Sequence, residues 1–392
     1  MRRIYADNAA TTRLSQVAKE AMLPYLDQIY GNPSSLHSFG QEAAQALSQS
    51  RDTIARLIGA SPSELTFTSG GSEADNQAIR SAAYNGAAKQ KRHLITSRFE
   101  HHAVLHTFQQ LEKEGFEVTW LEVYEDGLVR VEDLRNAIRT DTALVSVMYA
   151  NNEIGTVQPI RELGAVCRER GVVFHTDAVQ AVGHIPVDVQ ADNIDLLALS
   201  AHKFHGPKGI GVLYCRKGVP LRTLIQGGAQ ERGKRAGTEN LPAIVGMAAA
   251  LEEACGEMDA NIAHLSALRD QLIQGLTRIP QTLLNGHPAR RLPGTVNLCF
   301  KGIEGESLLL LLDQAGIAAS SGSACTSGSL DPSHVLLALG LSHEVAHGSL
   351  RLSLSPDNTA EDVAYIVETV PKVVDRLRDM SPVWEQMQKE AM

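Results

Sequence analysis

The chain has 392 residues, 43% hydrophobic and 21% charged, with 36 Lys and Arg against 45 Asp and Glu and a formal net charge of −9. That is about two to three domain lengths with an ordinary globular balance, which excludes disordered, collagen-like and coiled-coil chains. An acidic chain has no general electrostatic drive toward nucleic acid or anionic membrane, and an unbroken apolar run such as Leu308–Leu312 falls far short of the ~18 residues a membrane span needs.

The opening MRRIYADNAATT has two arginines but no apolar stretch, so it is not read as a secretory leader. ELTFTS (64–69) is a short β-rich run, and residues 72–88 read as a helix. HLITS (93–97) reads as a strand and HAVLHTFQQLEKEG (102–115) as a helix; FEVTWLEV (116–123), a helix near 131–138 and TALVSVMYA (142–150) continue the alternation. PIRELGAVCRERG (159–171) is an amphipathic helix that begins after Pro159 and stops at Gly171. VVFHTD (172–177), DLLALS (195–200) and IGVLYCR (210–216) are apolar runs of the buried-strand type. This alternation predicts an α/β fold with a mostly parallel sheet covered by helices on both faces.

Beyond Gly246 the texture changes. Residues 241–278 read as one long helix bridging two domains. TVNLCF (295–300), GIAASSG (316–322) and SLRLSLS (349–355) then read as strands of a smaller α+β domain, which the N-terminal segment is expected to join. The boundaries are placed at 15–257 for the large domain, and at 1–14 with 258–392 for the small one. Gly227–Gly237 reads as an ordered loop. The five cysteines (167, 215, 255, 299 and 325) are scattered, with no C-x-x-C, a pattern that fits free thiols in a reducing cytoplasm.

Two motifs are discounted. His343-Glu344-Val345-Ala346-His347 matches the H-E-x-x-H zinc pattern, but Gly348 and a strand follow at once and no third ligand is evident. Gly228-x4-Gly233-Lys234 resembles a P-loop, but Arg235 stands where a magnesium-binding hydroxyl is required.

Five segments carry more chemistry. SGGSEADNQAI (69–79) follows a strand and opens a helix. Gly70 and Gly71 permit a tight turn and close approach of a ligand, while Ser72 with Asp75 reads as a capping box. The turn suits either a phosphate or a plainly capped helix. HTDAVQ (175–180) ends a strand in Asp177, at the edge where α/β proteins bind ligands, or where a helix is capped. In SAHKFHGPKG (200–209), Lys203 follows an apolar strand, with Ser200 and His202 beside it. A lysine so placed is either a partly desolvated nucleophile or a surface cation. SSGSACTSGS (320–329) surrounds Cys325 with residues that pack no core, as in a turn or loop that exposes a reactive thiol. Arg351, inside the half-buried SLRLSL, needs an anionic partner: a substrate carboxylate or an internal acid.

Together these segments resemble the cysteine desulfurases of the NifS/IscS type, fold-type I pyridoxal-phosphate enzymes of the class V aminotransferase superfamily. The resemblance runs the whole chain, through YADNAATT (5–12), GNPSSLHSFG (31–40), TSGGSEADN (68–76), EHHAVL (100–105), NNEIGT (151–156), HTDAVQ, SAHKFHGPKGIG, RAGTEN (235–240), SSGSACTSGSLDPSHVL and HGSLRLSLS. It implies a large domain with a mostly parallel seven-stranded sheet and a smaller α+β C-terminal domain carrying the cysteine loop at about 320–332.

Carried over residue by residue, the resemblance makes Lys203 the Schiff-base lysine, Asp177 the partner of the pyridinium nitrogen and Gln180 that of the ring's phenolic oxygen. His101 becomes the ring-stacking, proton-shuttling histidine. Gly71, Ser72, Ser200 and His202 would hold the phosphate, with Thr238 donated by a partner subunit. Asn152 also touches the cofactor and, with Arg351 and nearby Asn8, the substrate carboxylate. Cys325 would accept the sulfur. The implied cofactor is pyridoxal 5'-phosphate and the substrate L-cysteine. The implied assembly is a cytoplasmic homodimer, and the partner a sulfur-acceptor protein such as an iron–sulfur scaffold, with no direct nucleic-acid or membrane partner. No metal is required, and iron–sulfur ligation through a Cys325 persulfide stays open. Rival readings are a class V aminotransferase, which needs no reactive loop thiol, and a non-catalytic scaffold, which needs several clustered thiolates.

Overall fold

Successive residues of the central strands point to opposite faces, which decides which layer each side chain joins. The computed structural model describes residues 2–321 and 332–390; Cys325 and most of its expected loop lie outside the described residues. The strands are β1 (Ile4–Tyr5), β2 (Leu65–Thr68), β3 (His93–Ser97), β4 (Glu117–Leu121), β5 (Thr142–Ser146), β6 (Val173–Asp177), β7 (Leu196–Ser200), β8 (Gly211–Cys215), β9 (Thr282–Leu284), β10 (Thr295–Phe300), β11 (Ile317–Ala318) and β12 (Ser349–Ser353). Seven of them form one sheet in the order β2-β8-β7-β6-β5-β3-β4. The five from β7 to β4 are parallel, whereas β8 runs antiparallel to both β7 and β2. The sheet is therefore mixed, and β2 points the same way as the parallel five.

Successive strand residues point to opposite faces. Ile95, Val145, Phe174, Leu197, Leu199 and Val212 join one core layer with the helices Ser38–Leu57, Ile160–Arg170 and Leu241–Gly256. Their neighbours Leu94, Leu144, Leu196, Ala198 and Leu213 join the opposite layer, under the helices Gly71–Ala87 and His102–Lys113. Burial on both faces explains why these strands are near-continuously apolar.

A second core gathers Val296, Leu298, Phe300, Leu350 and Leu352 with Val363, Ile366, Val370 and Val374, the last four spaced as one face of the helix Ala360–Asp379. It is built on the antiparallel sheet β9-β10-β12. Ile4 and Ala6 bury in this core, and β1 pairs in parallel with β11.

Three expectations need correction. The long helix over 241–278 is two helices, Leu241–Gly256 and Met258–Leu276, interrupted at Glu257. Gly256 weakens the helix there, and the break lets the first half pack Ile244, Met247 and Leu251 on the large core while the second packs Leu265, Leu268 and Leu272 on the other. The expected strand over 316–322 shortens to Ile317–Ala318, followed by a single bridge from Ser320 to Arg351. The capping box at Ser72 is absent: the helix begins at Gly71 with Gly70 as N-cap, at φ 155°. That backbone is closed to residues with a Cβ, so the chain turns two residues earlier than a Ser72 cap would place it.

The glycine-rich loop Gly227–Gly237 is held from inside. Glu231, at φ 50°, buries its carboxylate, which accepts from Arg51 Nη1 (2.9 Å) and Nη2 (2.6 Å) and from the Phe67 N–H (2.9 Å). Arg51 also donates to the Leu65 carbonyl and lies 4.5 Å over the Phe67 ring. Removing one partner of such a pair leaves the other charge buried and alone. Either Arg51→Met or Glu231→Gln is expected to cost about 3–5 kcal/mol in denaturant unfolding, with Arg51→Met/Glu231→Met together recovering much of the loss. Single losses under about 1 kcal/mol, the level of an exposed pair, would show that the loop is held otherwise.

Candidate active site

Because β2, β5, β6 and β7 all point one way, their carboxyl ends meet along one edge of the sheet, where open α/β folds place ligands. Thr68, Ser146, Asp177 and Ser200 end these strands. A cavity of about 390 Å³ opens there, lined by Gly71, Ser72, His101, Asn152, Asp177, Gln180, Ser200, His202, Lys203 and Arg351. Ten of the residues singled out from the sequence thus converge, although they span 281 positions (71 to 351). A larger open cleft of about 780 Å³, beside Tyr149, Arg161 and Asp192, contains none of them.

Lys203 ends a 3-10 turn (Ala201–Lys203) that follows β7. Its Nζ donates to the carbonyls of Ala9 and Ala10, both at 2.7 Å. The N-terminal segment clasps this turn: the Thr12 N–H and hydroxyl both donate to the His202 carbonyl, and Thr11 Oγ1 lies 3.1 Å from His202 Nδ1. Gln180 also donates to the Ala9 carbonyl. Burial, then the charge of Lys203, lowers His202 to about 4, so its ring is neutral.

Asp177 is buried, with one oxygen accepting the Val179 N–H at 2.9 Å. Burial pushes its carboxyl up to about 6, while that hydrogen bond and the charge of Lys203 hold it down. His101 is the N-cap of the helix His102–Lys113, its Nδ1 accepting the Ala103 N–H at 3.1 Å. Burial foremost, then Lys203, lowers it to about 4. The ring is neutral, and the occupied Nδ1 leaves its proton on Nε2, where it can be offered to a ligand.

At the other end of the cavity, Gly70 and Gly71 bring the start of a 17-residue helix against β7 and the Val179 side chain. A Cβ on Gly71 would stand 2.6 Å from Val179 Cγ2. The turn presents backbone N–H groups beside the Ser72, Ser200 and His202 side chains, which suits an anion.

Arg351 meets both of its readings. Nη2 pairs with Asp7 Oδ1 at 2.8 Å and Nη1 donates to the Asn152 carbonyl at 3.1 Å. Its Nε is buried with no hydrogen-bond partner among the described residues. Two residues lie apart from the cavity wall. Asn8 turns its amide to the Ser353 carbonyl at 2.9 Å, and Ala9 and Ala10 line the cavity instead. Thr238 is exposed on the loop beyond Gly237. The H-E-x-x-H run forms a five-residue helix, His343–His347, with both histidines at the surface.

Sequence reasoning missed the acids behind the cavity. Asp75, one turn into the helix, shares the cavity wall, and its only signal was the false capping box. Glu100, beside His101, is fully buried and accepts from the Ser97 hydroxyl and the Met148 N–H. Glu153 accepts from the Ser333 hydroxyl, and burial raises it to about 7. Burial raises Glu100 further, to about 8, from an ordinary value of 4.5. Between those values the folded chain keeps a proton that the unfolded chain releases, so this group's contribution is full below about pH 4.5 and is lost as pH rises through 8. Glu100→Gln is expected to gain in melting temperature over the parent at pH 8.5 relative to pH 5. A difference independent of pH would mean that Glu100 titrates normally.

The sequence matches the model of the aminotransferase class-V family over residues 4–366. It is 54% identical to the cysteine desulfurase IscS of Clostridium botulinum, over 99% of this chain and 98% of that one. It is 56% identical to the cysteine desulfurase IscS of Methanosarcina thermophila, over 97% and 94%. Among solved structures, a NifS-like protein superposes with a TM-score of 0.90 at 39% identity, covering 96% of this chain and all of that one. A protein described as SspA in complex with cysteine superposes with a TM-score of 0.80 at 38% identity, covering 91% and 100%. With the family model matched over most of its length and relatives above half identity end to end, the chain belongs to the aminotransferase class-V family.

Proposed function

We propose that this chain is a pyridoxal-phosphate-dependent cysteine desulfurase that moves the sulfur of L-cysteine onto Cys325 and leaves L-alanine. The observation that carries the reading is one cavity holding an amine (Lys203), a buried carboxylate (Asp177) and a glycine turn with hydroxyls. The residues present fit the cofactor. The start of the helix at Gly71 and the Ser72 and Ser200 side chains share one cavity, which suits a phosphate, the Nε2–H of neutral His101 is placed to meet a ring, and the buried Arg351 Nε has no acceptor among the described residues.

Pyridoxal 5'-phosphate, when bound, supplies an aldehyde that joins amines covalently and a ring that takes up electrons from the substrate's Cα. Gly71, Ser72, Ser200 and His202 would hold its phosphate, Asp177 would pair with its ring nitrogen, Gln180 with its phenolic oxygen, and His101 with its face. Lys203 would hold the cofactor through Nζ, and Nζ, freed when substrate binds, would take the Cα proton. Arg351 binds the substrate carboxylate with Asn152, while Asp7 fixes the guanidinium by its far edge. The Cys325 thiolate then attacks the substrate sulfur: an S–S bond forms, the C–S bond breaks and its electron pair stays with carbon, which is reprotonated to alanine. The persulfide passes to an acceptor protein, of which an iron–sulfur scaffold is one kind.

A homodimer accords with the surface. Leu23, Leu26, Tyr30, Leu36 and Phe39 are exposed along the segment after the first helix, and Leu224 and Ile225 on the approach to the glycine-rich loop. So much exposed apolar surface marks an interface, and Thr238 would reach the neighbour's phosphate from that loop. No helix among the described residues is long and apolar enough to cross a membrane.

Lys203→Ala is expected to abolish turnover, the visible absorbance and borohydride fixation of the cofactor; fixation at Lys208 would refute the assignment. Cys325→Ala should keep the cofactor and the spectral change on adding L-cysteine, yet lose sulfide release by about 100-fold or more. Persulfide found on another cysteine by mass spectrometry would sink that role. The protein should sediment near twice 42.3 kDa, and Leu36→Asp with Tyr30→Asp should shift it toward monomer and weaken cofactor retention. A fully loaded, active monomer would contradict the dimer.

A further inference from the structure

Behind the cavity lies a line of side chains for which the reaction just described has no use. β5 and β6 set Ser146 directly opposite His175. His175 and Asp177 are two residues apart on β6 and so share a face, the one covered by the helix Gly71–Ala87. His175 is fully enclosed. Its Nδ1 lies 2.8 Å from Ser146 Oγ, and its Nε2 faces Asp75 Oδ1 at 3.4 Å. Neither Nε2 nor that oxygen has a hydrogen-bond partner among the described residues, so each is the other's nearest relief. Asp75 and Asp177 both line the cavity, close enough for the charge of one to act on the other.

Two carboxyls in one water-poor space, with Glu100 as a third, cannot all ionise. The counter-charge is unevenly shared. Lys203 and the Val179 N–H both favour a charged Asp177. Asp75 pairs with no Lys or Arg among the described residues: burial foremost, then the charges of Asp177 and Glu100, hold it well above the usual carboxyl range. Burial lowers His175 to about 3, so the imidazole that faces Asp75 is neutral and able to accept a proton at Nε2.

We propose that Asp75 and His175 are positioning residues that keep the negative charge at the base of the cavity on Asp177. Protonated Asp75 donates its O–H to His175 Nε2, and the Nδ1–H of the same ring donates to Ser146 Oγ. The inference rests on the reading that Asp177 meets the ring nitrogen of the bound cofactor. With the negative charge on Asp75, the imidazole would be in the opposite tautomer, Nε2–H to Asp75 and the Ser146 O–H to Nδ1. The ring therefore reports where the proton lies.

The test is ¹⁵N NMR of the cofactor-loaded enzyme labelled at histidine, with the His175 signals assigned by their loss in His175→Gln. The expected signature is a bare Nε2 and a protonated Nδ1 that persist from pH 8 to pH 5. A protonated Nε2 overturns the proposal. Cofactor dissociation constants give a second, independent measurement. Asp75→Asn replaces a neutral acid with a neutral amide that also donates to Nε2, and should change affinity less than about threefold. Asp177→Asn, which removes the charge, should weaken it about tenfold or more, one pKa unit's worth of interaction. Equal losses from both would place the charge on Asp75 as well and refute the proposal. No loss from Asp177→Asn would defeat the reading of Asp177 itself and the proposal with it, a failure the tautomer distinguishes from the first. His175→Leu should weaken cofactor binding about tenfold and His175→Gln should restore it; a fall in melting temperature with unchanged cofactor binding would assign His175 a structural role only.

Discussion

Parallel pairing of β6 with β7, which sets Asp177 opposite Ala198, is the constraint on which the site depends. It ends two neighbouring strands at the same edge, one in Asp177 and the other in Ser200, three residues before Lys203, so that Lys203 joins Asp177 at the cavity through a single 3-10 turn. A one-residue slip would exchange the two faces of β6. Asp177 and His175 would then enter the layer of Phe174 and Leu197, and Phe174 would take the place of the acids. Burial of Phe174 on one face and of Leu196 and Ala198 on the other holds the register.

The N-terminal segment completes what the sheet begins. Residues 8–12 lie between the two cores: Ala9 and Ala10 offer carbonyls to Lys203, Thr12 grips the His202 turn, and Asn8 and the Ala9 N–H are tied to Ser353 on β12. Asp7 reaches Arg351 on the same strand. One short stretch thus fastens the lysine of the large sheet to the arginine of the small one. Most of its hydrogen bonds use a backbone group and the side chains of residues 8–12 are small, which fixes its path while leaving the cavity free of bulk.

Electrostatics along this edge are arranged by burial rather than by counter-ions. Acids accumulate at Asp75, Glu100, Asp177 and Glu153, and the histidines at 101, 175 and 202 are held neutral by the same desolvation. Among the described residues lining the cavity, Lys203 and Arg351 are the cationic side chains. Such a site favours a substrate that brings both an amine and a carboxylate, and it keeps protons on acids that would be bare in water.

Local sequence alone determined much of this protein. Unbroken apolar runs marked β5 to β8 as buried strands, Pro159 and Gly171 bounded a helix, and Gly70–Gly71, Asp177, Lys203 and Arg351 stood out because each is an uneconomical choice at its place unless it serves a site. Those signals are short-range: backbone freedom, side-chain period and the cost of burying charge act within a few residues. Tertiary structure decided the rest. Arg351 carries both an ion pair and an unmet Nε because Asp7, 344 residues away, lies beside it. Asn8 faces backbone rather than cavity because β1 docks on the second core. The helix over 241–278 breaks because two cores claim its two halves. Asp75, read as a cap, is a buried acid because Gly70 starts the helix early and turns that face onto His175. Each outcome depends on which distant segment arrives opposite, a matter of packing and register that no local pattern encodes.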